Sequence, residues 1–65
     1  MRVHNRVQKH RLECKLTQEE LTDKADVSRQ TIIAIEQGNY TPSVLLALKI
    51  ARIFKVPLED VFYIS

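Results

Sequence analysis

The stretch 17–38, TQEELTDKADVSRQTIIAIEQG, constrains this chain most, because it carries two helix starts with only about one turn of chain between them. Thr17 suits an N-cap and Glu20 follows three residues on, so the pair completes a capping box that satisfies free backbone N–H groups at a helix start. Leu16 and Leu21 stand at the flanking staple positions. Ser28 repeats the pattern, with Val27 and Ile32 as its staple pair and Thr31 where a glutamate would close the box. The spacing therefore predicts two short helices joined by a turn too tight to be an ordinary loop.

Such a pair is a helix-turn-helix, whose second helix lies in the major groove in DNA-binding proteins. A chain of 65 residues makes one domain, spanning 1–65, near the lower size at which a core holds without help. Cys14 is the only cysteine, so no intrachain disulfide supplies that help, and a lone thiol suits a reducing cytoplasm. No apolar run approaches the roughly 20 residues that span a bilayer. The charged N-terminus lacks the apolar region of a signal peptide. The expectation is a cytoplasmic protein without membrane contact. Net charge is only +2, yet residues 1–15 hold five Lys or Arg against one Glu. Such a cluster suits either a phosphate-facing patch or a solvated helix face.

The periodicity predicts a first helix over 5–14, with Val7, His10, Arg11 and Cys14 on its inner stripe and Leu12 beside it. An arginine on that stripe demands a partner. Residues 1–4 read as a short extended lead-in. The second helix covers 18–24 with Leu21 and Ala25 inward, and its acidic first turn complements the helix dipole. Asp26 falls in the tight turn, where a positive φ is expected, and Lys15 occupies a connection where glycine would be comfortable. The third helix, 28–37, turns Ile32, Ile35 and Glu36 inward and leaves Arg29, Gln30, Ile33 and Ala34 on the opposite face. Gly38 ends it as a left-handed cap. Ser43 caps a fourth helix over 44–54, apolar nearly all round and so expected as the central buried element. Pro57 opens a last short helix through Leu58 and Val61 before a tail of Phe62, Tyr63, Ile64 and Ser65.

With LTQEEL, VSRQTI and IEQG at these spacings, and PS then IA further on, the chain resembles the phage Cro and repressor type of helix-turn-helix regulators. That prokaryotic group is also called the xenobiotic-response-element type. The likeness runs over about 5–62 and is greatest to compact stand-alone regulators of bacteria and archaea. It implies an all-α, five-helix lambda-repressor-like domain with the helix-turn-helix at helices two and three. It also implies no cofactor and a dimer on a two-fold related DNA site. By the same resemblance Arg29, Gln30 and Ala34 face base edges, Gln18 braces the recognition helix and touches phosphate, Asn39 touches phosphate, and Arg11 pairs with Glu36 in the interior. Lys15 and Asp26 depart from the glycines that the family often has there.

The chemistry of these positions agrees. Arginine with guanine and glutamine with adenine are the bidentate pairings that major-groove geometry favours, and Ile33 suits a thymine methyl. Ser28 and Thr31, at the lip of the third helix, sit where its N–H groups can meet phosphate. His10 and Cys14 lie four apart on one face, but a closed zinc site needs about four ligands. No base, nucleophile and oxyanion grouping points to an enzyme. The leading expectation is a sequence-specific regulator of transcription, as a rule a repressor. The alternative is a protein-interaction module, such as an antitoxin or docking domain. Leu58, Val61, Phe62, Tyr63 and Ile64 are the expected homodimer surface. If extended, the tail has either residues 2–4 or its twin as a strand partner.

Overall fold

The two caps at Thr17 and Ser28 start the second and third of five helices in the computed structural model, which describes residues 1–65. Glu20 N–H donates to Thr17 Oγ1 at 3.0 Å and Thr17 N–H to Glu20 Oε1 at 2.9 Å, closing the capping box. At the second cap, Thr31 N–H donates to Ser28 Oγ at 3.2 Å. The two hydroxyls share a further bond at 2.9 Å.

The element order is β1 (Val3–Asn5), α1 (Val7–Glu13), α2 (Gln18–Ala25), α3 (Arg29–Glu36), α4 (Val44–Phe54), α5 (Leu58–Val61) and β2 (Phe62–Ile64). Val7, Leu21, Ala25, Ile32, Ile35, Leu46, Ile50, Ala51, Phe54 and Val61 form one core to which all five helices contribute. Leu16, Val27, Leu58 and Phe62 pack against its edge. Backbone φ is positive at Lys15, Asp26 and Gly38, the three positions where the sequence required a left-handed residue. It is also positive at Lys55, the left-handed cap that stops α4 before Pro57.

Three expectations need correction. The first helix begins at Val7, because Asn5 belongs to β1. Cys14 is exposed, because α1 ends at Glu13 and Cys14 is only its C-cap, outside the helical stripe. The fourth helix is not buried all round: Leu46, Ala47, Ile50, Ala51 and Phe54 face the core, whereas Val44, Leu45 and Leu48 are exposed. Of the two strand partners left open for the tail, the lead-in of its own chain is the one taken. β2 runs antiparallel to β1 with Val3 opposite Ile64, His4 opposite Tyr63 and Asn5 opposite Phe62. Arg2 and Ser65 exchange both backbone bonds beyond it, at 3.0 and 3.1 Å. On one face of this ribbon the Tyr63 ring stacks on His4 at 5.3 Å and lies 4.1 Å beneath the Arg6 guanidinium.

The capping box carries a pH dependence. The Thr17 N–H bond, followed by the Thr17 hydroxyl, holds the Glu20 carboxyl below the usual glutamate range. A depressed carboxyl contributes stability that is present above its unfolded pKa and is lost as pH falls through the folded one. Thermal melts across the acid range should therefore fall less steeply for Glu20→Gln than for the parent protein. Equal slopes would remove Glu20 from the account.

Candidate nucleic-acid interface

The face that the helix-turn-helix presents is set by how α3 is anchored. Ile32 and Ile35 are fully buried beneath it, so the opposite positions stand outward at helical spacing. Arg29 and Gln30 are exposed in its first turn, and Ile33 and Ala34 lie half-buried one turn later. Arg29 has no carboxylate within ion-pair distance, which leaves its charge uncommitted. Ser28 is exposed and Thr31 half-buried at the same end, each already engaged with the other. Asn39 is exposed in the loop beyond Gly38, with its amide 3.3 Å from Gln37 Oε1. The Asn39 and Gly38 N–H groups bond back to the Ala34 and Ile35 carbonyls at 2.9 and 3.0 Å, which fixes the start of that loop.

Behind this surface lies the charge that the inner stripe of α1 carries. Arg11 Nε donates to Glu36 Oε2 at 2.7 Å, Nη2 to Oε1 at 3.4 Å and Nη1 to the Leu16 carbonyl at 2.9 Å. The Arg11 and Glu36 side chains are only 9% and 5% exposed. Gln18 Nε2 adds a bond to Glu36 Oε1 at 3.1 Å. One Nε2 hydrogen is thereby committed, and Gln18, at the first position of α2, keeps a second donor for an outside acceptor. The carboxylate therefore ties the end of α3 to α1 and to the start of α2.

Two more contacts were not legible from the sequence. Asn5 Nδ2 donates to the Ile35 carbonyl at 2.8 Å, and Lys49 Nζ reaches the Ala25 carbonyl at 3.4 Å. Only a general signal marks such residues, a polar side chain beside buried apolar ones. His10 Nε2 lies 3.1 Å from the Asp60 carbonyl and its ring stacks on Phe54, away from Cys14. No three His, Cys, Asp or Glu side chains converge. No helix is long and apolar enough to cross a membrane.

The residues expected at a dimer surface divide into three groups. Val61 is fully buried in its own core, so it backs such a surface from beneath and does not line it. Leu58 and Phe62 are half-buried against the same core, while Tyr63 and Ile64 are exposed. Glu59, Phe62, Tyr63 and Ile64 border a shallow groove there.

Comparison with known proteins places the chain among similar ones. The family described as Helix-turn-helix matches residues 7–61. An uncharacterized HTH-type transcriptional regulator of Methanocaldococcus jannaschii is 55% identical over 60 residues, covering 92% of this chain and 91% of that protein. A second, YgzD of Bacillus subtilis, is 47% identical over 63 residues, covering 97% and 96% respectively. Among solved structures, the restriction-modification controller protein C.AhdI of Aeromonas hydrophila has the same fold. Its TM-score is 0.77 at 22% identity, over 83% of this chain and 82% of that one.

Proposed function

The chain belongs to the helix-turn-helix family of DNA-binding transcriptional regulators, which are not enzymes, and we propose that it is a sequence-specific repressor acting as a homodimer on a two-fold related operator. The observation that carries this reading is the free first turn of α3. Arg29 and Gln30 stand exposed there on a helix whose opposite side is locked into the core. Their donors and acceptors match the edges of guanine and adenine, Ile33 and Ala34 supply apolar contact beside them, and Ser28 and Thr31 meet phosphate. Gln18 and Asn39 flank this helix and contact the phosphates on either side. Phosphate contacts position the protein without reading sequence.

Selection of bound duplexes from a random pool tests this directly. Enrichment of a two-fold related sequence supports it, and a protein that binds no duplex but retains a protein partner would assign the chain to the interaction modules instead. On the selected site, Gln30→Ala should weaken binding by about 1–3 kcal/mol while non-specific binding is nearly unchanged, because a base contact and no charge is removed. Gln18→Ala and Asn39→Ala should lower affinity on all sequences alike. Equal losses for Gln30→Ala on the selected site and on random DNA would end its role in reading.

A further inference from the structure

We infer that Asn5 is a positioning residue for sequence reading: it fixes the tilt of α3 from outside the helix-turn-helix, and so couples the two-stranded ribbon to the DNA-reading face. The inference rests on the functional reading above. Asn5 uses both ends of its side chain. Nδ2 donates to the Ile35 carbonyl at 2.8 Å, and Oδ1 accepts the Val7 N–H, at the start of α1, at 3.1 Å. Its backbone sits opposite Phe62 in the ribbon. Three elements thus meet at one half-buried amide.

The Ile35 carbonyl already accepts the Gly38 N–H, so Asn5 occupies the remaining lone pair at the end of α3. The neighbouring residue, Glu36, is held by Arg11 near the other end of α1. The end of α3 therefore has two tethers from α1 and its lead-in, and losing either permits a small tilt about the other and the buried Ile32 and Ile35. A helix of eight residues is roughly 12 Å long, so a tilt of about 5° at its end moves Arg29 by about 1 Å. That exceeds the roughly 0.5 Å window of a good hydrogen bond. Base contacts should suffer and phosphate contacts, which tolerate looser geometry, should not.

The test separates the two bonds of Asn5. Asn5→Asp retains an oxygen for the Val7 N–H but, ionised, has no donor for the Ile35 carbonyl, and Asn5→Ala removes both bonds. For each variant, affinity is measured on the selected site and on random duplex, with a thermal melt to confirm the folded fraction. The expected result is a fall in the ratio of specific to random affinity of roughly tenfold, the scale of one base contact, with random binding unchanged. A merely structural role would lower the melting temperature and leave that ratio alone. Either folded variant with the parent ratio would overturn the inference. A parent protein without any sequence preference would instead sink the functional reading on which it rests.

Discussion

Arg11→Met should destabilise the protein by about 3–5 kcal/mol, and by more than the double replacement Arg11→Met with Glu36→Leu. The Glu36 side chain is 5% exposed and receives two of its three donors from Arg11. Without the guanidinium, the carboxylate keeps only the Gln18 amide, and the Leu16 carbonyl loses its side-chain donor. The reverse change, Glu36→Leu, strands a guanidinium that is 9% exposed with one carbonyl for company. Removing both charges together avoids either isolated ion. A domain has only about 5–15 kcal/mol of total stability, so each single variant should be largely unfolded on mild heating while the double variant still melts cooperatively. Urea melts of the four proteins provide the cycle. Two single variants as stable as the parent would show that the pair does not matter to folding.

That pair illustrates what the sequence made legible. Arg11 falls on the apolar stripe of a helix by spacing alone, and a charge there needs a partner, although only the family resemblance pointed to Glu36. The caps were legible because each is local: Thr17 with Glu20 and Ser28 with Thr31 lie within one turn. The bracing of α3 by Gln18 came from the resemblance and not from spacing, and Asn5 with Ile35 was not legible, since 30 residues separate the partners and no periodicity links them.

Other features failed for reasons of length and phase. A helix that is apolar on every side gives periodicity no direction, so the exposed row of Val44, Leu45 and Leu48 emerges only once α4 has packed against α2 and α1. Three-residue strands are too short for alternation to specify a register, and β1 and β2 lie at opposite ends of the chain. Nothing local in the tail chooses between a helical and an extended course, or between its own lead-in and a second copy as strand partner. The pairing consumes one edge of β2 and leaves its apolar side chains Tyr63 and Ile64 exposed.

Ile64→Glu should turn a dimer into a folded monomer whose operator affinity is lower by on the order of 10²–10⁴-fold, the advantage that linking two binding events confers. Two successive half-sites lie about 34–36 Å apart. The whole molecule extends only 31 × 22 × 19 Å and carries one α3, so in the proposed homodimer the second reading helix comes from a second copy. Ile64 is 62% exposed, with Val3, 46% exposed, opposite it in the ribbon and Tyr63 beside it. Leu58, Val61 and Phe62 are packed on their own core and give this patch a firm backing. Across the two-fold axis of the proposed homodimer the same patch would meet itself, so Ile64→Glu would set two carboxylates in an apolar contact, close to the Glu59 that borders the groove. The Ile64 side chain contributes little to the core of its own chain, and the monomer should keep nearly the parent melting behaviour when extrapolated to low concentration. Sedimentation and operator titration read both effects. The control is Leu45→Glu in the exposed row of α4, which should remain dimeric. A monomeric Leu45→Glu beside a dimeric Ile64→Glu would move the interface to α4, because a carboxylate disrupts only the apolar surface that a partner covers.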